Sequence, residues 1–301
     1  MSKLSYILVF AGLFFSIPAS AADKDFNAYV IKAIDVLNAK YARGGYDLGS
    51  AFTHNIPYAE GTVRKTSSKD DPAPSMCVAG VAEIIITAIN LYVRDTGDTS
   101  AYVKVPASLW TRGNALSLRA NIFMYAGTGS HGTGDTLKRF GMGQELGFEA
   151  LKPGDFINLN RTTHSGHAVA FLGYLDADGN DQPSAANAKG FKYFSLQGKG
   201  KPDAGFGYRW AFFEGNCPTL NGGRVRDCHI IRSANPILLN AGRMAAPGDW
   251  RVQPAIDKLR LQGRRAIMDA DPGVSRSLAD QELDLDLPAN IDPALDGVTE
   301  D

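Results

Sequence analysis

Net charge is almost absent from this chain: 31 basic and 32 acidic side chains over 301 residues leave a formal charge of -1. Nucleic-acid binders neutralise phosphate with a basic excess, so that class of partner has no electrostatic footprint here. Past the N-terminus, no segment reads as the run of about 20 apolar residues that a membrane-spanning helix needs. No period of about 20 to 50 residues is visible, so a repeat architecture has no signature either. The glycine-rich stretch "GTGSHGTGD" at 127–135 lacks the Lys-Ser or Lys-Thr pair of a phosphate-binding loop. "DADGND" at 176–181 lacks the full ligand set of an EF-hand and reads as a turn, with calcium as its alternative. Cysteine is scarce, at Cys77, Cys217 and Cys228 alone.

What is present describes a globular protein with a real core: 44% of residues are hydrophobic and 10% aromatic, which excludes disorder for most of the length. The opening residues combine Lys3, an apolar run from Leu4 to Ile17 and the small-residue site Ala19-Ser20-Ala21. This pattern predicts a secretory signal peptide over 1–21, a retained anchor being its alternative, and an exported mature protein, periplasmic or secreted. Disulfides persist outside the cytoplasm. Cys217 and Cys228 flank "PTLNGGRVRD", whose Asn221-Gly222-Gly223 is turn chemistry, and so read as a disulfide-clipped hairpin. Cys77 is then the odd cysteine: an intermolecular bridge, a reactive thiol, or a small packed hydrophobe.

Periodicity divides the chain. Tyr29, Val30, Ala33, Ile34 and Leu37 have helical spacing within 26–42, and Gly44 and Gly45 stop that helix. Residues 46–75 turn to Gly, Pro, Ser, Asp and Lys, a long loop of the kind that serves a site. After Cys77 apolar residues fall nearly all round a helix, which predicts a central buried one. Another helix is expected over 106–125. The period then switches to two through "FINLN", "GHAVAFLGYLD", "GFKYFSLQG", "YRWAFFEGNC" and "RDCHIIRS", an antiparallel series of short strands. Helices first and strands afterwards predict an α+β fold with N-terminal helices packed on a C-terminal antiparallel sheet. One domain is expected over 22–240 and an extension over 241–301, with one basic helix. From 269 onwards ten acidic side chains stand against Arg276 alone, which reads as a disordered acidic tail and a possible contact for a protein partner.

A thiol attacks as its thiolate, and a helix N-terminus stabilises that anion. Cys77 opens the central helix, fed by a loop containing Pro72 and Pro74. A base must accept the proton. Of five histidines, His54 and His131 lie in loops, His164 in a turn and His229 beside Cys228. His167 begins the apolar strand "HAVAFLGYL", where a rigid sheet can aim an imidazole at a helix end. A structural histidine is the alternative.

Cysteine at the start of a central helix, an "LKPGD" turn, then a strand opening with Gly-His resembles the papain-like cysteine peptidases of the NlpC and CHAP type. "LKPGDFINLNRTTHSGHAVAFLGYL" at 151–175 carries most of the resemblance, which covers 28–197. It departs at the nucleophile, Met76-Cys77-Val78-Ala79-Gly80 in place of Asp-Cys-Ser-Gly, and in a long insert between Tyr58 and the cysteine. The resemblance implies a papain-like fold and a hydrolase of the cysteine peptidase class, with Cys77 as nucleophile and His167 as base. It places a third residue on the strand after the histidine strand, where Ser195 and Gln197 share a face. Gln197 is the longer acceptor for an imidazole N–H, with Asn216 ranked behind it. Tyr58, in "NIPYAEG", takes the oxyanion or substrate-binding position. The implied substrate is a peptidoglycan peptide or other peptide-like amide, cleaved through a thioester without metal or organic cofactor. A non-catalytic binding module and an acyltransferase with the same pair are the competing readings.

Overall fold

Val30, Ala33, Ile34 and Leu37 recur at helical spacing. In the computed structural model, which describes residues 26–48, 52–63, 69–198 and 200–288, they form the buried face of helix α1, Asn27–Tyr41. The signal peptide expected over 1–21 lies outside the described residues, as does 289–301 of the acidic tail. A small hairpin follows, β1 Ile56–Tyr58 against β2 Gly61–Val63, within the stretch that composition alone reads as loop. Next is α2, Cys77–Thr96, buried continuously from Cys77 to Ile89 because its apolar side chains leave no face for water. Gly97, in the left-handed conformation, ends it by donating to the carbonyl of Val93. By length and composition α2 is apolar enough to cross a membrane, contrary to the expectation from the sequence. With 83% of that apolar window buried inside the protein, it is a core helix.

The single helix expected over 106–125 is instead broken. After α3, Ser100–Lys104, come α4, Ser108–Thr111, and α5, Leu118–Ile122, then α6, Thr133–Arg139. The Ser117 side chain accepts from the Ala120 amide and caps a new helix there, so the apolar periodicity continues across an interruption in the backbone.

The strands are β3 Gly143–Leu146, β4 Phe156–Asn160, β5 Gly166–Leu175, β6 Asp181–Gln182, β7 Gly190–Gln197, β8 Gly205–Phe213, β9 Arg226–Ile230 and β10 Leu239–Met244. They order as β3-β10-β4-β5-β7-β8-β9, with β6 on β5. The pairing is antiparallel except between β8 and β9, which run parallel. Cys217 and Cys228 are therefore bonded as expected, Cα atoms 5.6 Å apart, but they tie a crossover into β9 and not a hairpin. β10 lies between β3 and β4, so the boundary expected at 240 cuts a strand of the central sheet. Beyond it, α7, Val252–Ala270, packs against α8, Arg276–Asp284. The expectation of a disordered tail from 269 fails over α8, because Arg260 pairs with Asp284 and Arg264 with Asp280.

Past the end of β4, Arg161 bridges Ile230 of β9, Thr162 N–H donates to His229 O at 3.0 Å, and Ile231 N–H donates to Asn160 O at 2.9 Å. These bonds close β4, β5, β7, β8 and β9 into a barrel. Period-two alternation then gives the barrel two environments. Leu159, Val169, Phe171, Phe191 and Phe213 fill one core, whereas Ala168, Ala170, Phe194 and Leu196 pack with α2 in the other. Gly80 permits that close approach, since a Cβ on it would meet Leu196 Cβ at 2.8 Å.

The "LKPGD" turn is built for its place. Gly154 adopts φ +94°, and a Cβ there would meet Asn27 at 2.9 Å. Asp155 accepts from Lys152 N–H at 2.7 Å, from Asn27 at 2.8 Å and from Arg243 at 2.7 Å, so it serves its own turn.

Candidate active site

Cys77 occupies the first turn of α2 and His167 the second residue of β5. The sulfur lies beside the amides of Val78 and of Ala168, the residue after His167, with the Tyr46 side chain nearby. Burial pushes the Cys77 thiol up, while these polar neighbours and the nearby Arg161 charge pull the other way. Cys77 is the free cysteine, the other two being bonded to each other.

His167 is fully buried, with its ring edge-on to Tyr193 at 5.7 Å. Its Nε2 lies 2.8 Å from Ser195 Oγ, Ser195 Oγ donates to Gln197 Oε1 at 2.7 Å, and Gln197 Nε2 donates to Gly207 O at 3.1 Å. Burial drags the imidazole pKa down to about 3, with Arg161 adding to the effect and Asp227 and Gln197 opposing it. Nδ1 has no hydrogen-bond partner. Thiol and imidazole are accordingly both neutral at rest and not hydrogen-bonded to each other. By alternation, His167 starts on the side of Val169 and Phe171, while the sulfur sits with Ala168 on the α2 side.

Below the imidazole lies a second buried network. Arg161 donates to both oxygens of Asp227, at 2.6 and 2.7 Å, and Tyr193 donates to the same carboxylate at 2.7 Å. Burial alone would raise Asp227, but the Arg161 charge outweighs it and holds the carboxyl below its ordinary value.

Of the residues expected from the sequence, the structure joins His167, Ser195 and Gln197 in one hydrogen-bonded chain, with Ser195 as the direct partner of the imidazole and Gln197 one bond further, while Cys77 lies on the other face of β5 beside the Ala168 amide. Asn216 lies elsewhere, its side chain turned to the Glu214 carbonyl at 3.5 Å. Tyr58 is a correction: its hydroxyl donates to Val105 O at 2.6 Å, among Tyr102 and Trp110, and burial pushes its pKa up. The tyrosine at the sulfur is Tyr46. It is held there by a strap over 42–48, in which Ala42 bridges Phe206, Gly45 N–H donates to Ala204 O at 2.9 Å, and Tyr46 bridges Ser75. No sequence signal singles out Tyr46 or pairs Arg161 with Asp227, 66 residues apart.

Two surface clefts lie away from this site, one bordered by Glu145, Phe148 and Arg232, the other by Leu151, Tyr174 and Lys192. No protein-family model matches the chain, and neither a curated protein nor a solved structure matches it.

Proposed function

We propose that the protein is an exported cysteine amidase or peptidase that cleaves an amide in peptide-like substrates, cell-wall peptides first among them. The observation that carries the reading is the setting of Cys77: a sulfur at the N-terminus of a 20-residue helix, beside the amides of Val78 and of Ala168, the residue that follows His167. The substrate class rests on the resemblance of 151–175 to cell-wall hydrolases. The disulfide and the expected signal peptide fit an oxidising, periplasmic or secreted setting.

The reaction requires the His167 ring to come to the α2 side of β5, where a ring nitrogen takes the Cys77 proton as the sulfur bonds to the substrate carbonyl carbon. The tetrahedral oxyanion faces the helix N-terminus and the Tyr46 hydroxyl. Collapse breaks the C–N bond, and the imidazolium returns its proton to the leaving amine. Water, deprotonated by the same nitrogen, then attacks the thioester and releases carboxylic acid and thiol. An amine in place of water would give acyl transfer.

A second reading, a non-catalytic module with this fold, is favoured by one observation: Cys77 is 1% and His167 0% exposed. Incubating the mature, disulfide-intact protein with muropeptides and following new carboxyl and amine termini by mass spectrometry separates the two. Cleavage abolished by Cys77→Ser supports the amidase. No cleavage by wild type, with no thioester trapped on Cys77, favours the module.

A further inference from the structure

We propose that the outer face of the barrel carries a docking row for an acidic polysaccharide, a role independent of the chemistry at Cys77. Tyr193 and Asp227 bond to each other inside the barrel, so alternation puts the residues before them, Lys192 and Arg226, on its outer face. Trp210 of β8 is in register with both, with Lys192 of β7 on one side and Arg226 of β9 on the other. The three side chains are partly exposed and form one row across three strands. Strands lie about 4.8 Å apart, so the two cations stand roughly 10 Å from each other with the indole between them. Gly173 of β5 continues the row past Lys192, and a Cβ there would meet nothing within 4 Å, so that end is open.

The charge of the row is not neutralised. The Lys192 ammonium sits 5.4 Å from the ring centres of both Tyr208 and Trp210, and the exposed Arg224 guanidinium 5.5 Å from that of Trp210. Arg224 and Arg226 donate to carbonyls, those of Gly179 and Pro218. Aromatic rings and carbonyls hold a cation in place but carry no net charge. Among the described residues no carboxylate pairs with Lys192, Arg224 or Arg226, whereas Arg161, Arg243 and Arg264 each have one. The row therefore presents charge, flat ring, charge. A chain of uronate sugars matches that order: each ring offers a C–H face to the indole and a carboxylate to an ammonium or guanidinium. An acidic peptide has the charges without the ring face. An anionic membrane would call for exposed apolar side chains to insert, and the large ones on this protein, Ile237, Leu278 and Leu285 among them, are not in the row.

Tryptophan fluorescence provides the test, because Trp110 and Trp250 are 0% and 2% exposed and a response to a surface ligand comes from Trp210. The mature, disulfide-intact protein is titrated with a galacturonate oligomer and, in parallel, with a glucose oligomer of the same length, a glutamate oligomer of the same charge and phosphatidylglycerol vesicles. The galacturonate oligomer should shift the emission saturably and bind more tightly than the other three, and added salt should weaken it. Lys192→Gln with Arg226→Gln should lower its affinity by about tenfold. If that pair does not fold, Arg224→Glu, on an exposed side chain, should lower it likewise. Cys77→Ser should bind as wild type does, which keeps this result separate from the fate of the amidase reading. Absence of saturable binding, equal or tighter binding of the glucose oligomer, the glutamate oligomer or the vesicles, or an affinity unchanged in the folded variants overturns the proposal.

Discussion

Acidification should cost the wild-type fold more than it costs a His167→Gln variant, and the difference can be worked from the burial of the ring. In the unfolded chain the imidazole takes up its proton at about 6.5. In the folded protein it resists until about 3. Between those values the unfolded state holds the extra proton, so the free energy of unfolding rises with pH there, at up to about 1.36 kcal/mol per pH unit. The stability from keeping the ring neutral is complete above about 6.5, is lost as pH falls, and levels off at roughly 5 kcal/mol below about 3. The ring is 0% exposed, so no screening by solvent discounts the effect. At about pH 4.5 the excess loss should be roughly 2 to 3 kcal/mol relative to neutral pH. Urea unfolding of both disulfide-intact proteins at the two pH values measures it, since carboxylates contribute to both and cancel in the comparison. Equal pH dependence in wild type and variant would refute the argument.

Further substitutions probe the scaffold and the surroundings of Cys77. Arg161→Met strands the Asp227 carboxylate, 2% exposed, and should cost about 3 to 5 kcal/mol in chemical denaturation, most of it recovered when Asp227→Leu is added; a neutral single variant contradicts the buried pair. Gly80→Ala sets a Cβ 2.8 Å from Leu196 Cβ, so α2 must retreat from the barrel. Overpacking of this kind costs about 1 to 3 kcal/mol, read as a lower unfolding midpoint with slower labelling of Cys77, and an unchanged midpoint argues against the close contact. Tyr58→Phe should lower stability by about 1 kcal/mol and leave Cys77 reactivity unchanged, whereas Tyr46→Phe should alter that reactivity. The reverse pattern would return the oxyanion position to Tyr58.

The elements that periodicity and turn chemistry specify locally were legible in the sequence. α2 is apolar all round, β4 and β5 follow their Pro-Gly turn, and Cys77 and His167 fall at the starts of their elements. What the sequence hid depends on contacts between distant segments. The parallel pairing of β8 with β9 arises because β9 also bonds to the end of β4, closing the barrel, and no local pattern announces that. α8 escaped a reading by composition because counting acids ignores their partners, Arg260 and Arg264 on α7. At the site, the resemblance pointed to Tyr58, but the path of 42–48 over the helix start brings Tyr46 near the sulfur instead. Ser195 and Gln197 shared a face as alternation required, yet which of them touches the ring is a matter of reach across β5 and β7.

The most direct test of the central claim, that Cys77 is a nucleophile with His167 as its base, is the rate at which a small alkylating agent labels Cys77 in the folded protein. The rate should be followed across pH in wild type and in His167→Ala, with Cys217 and Cys228 kept bonded. The account predicts labelling of the native protein and a loss of about 10²-fold or more without the imidazole. A thiol that reacts only as the protein unfolds, at the same rate in both proteins, would contradict it and leave Cys77 as packed sulfur.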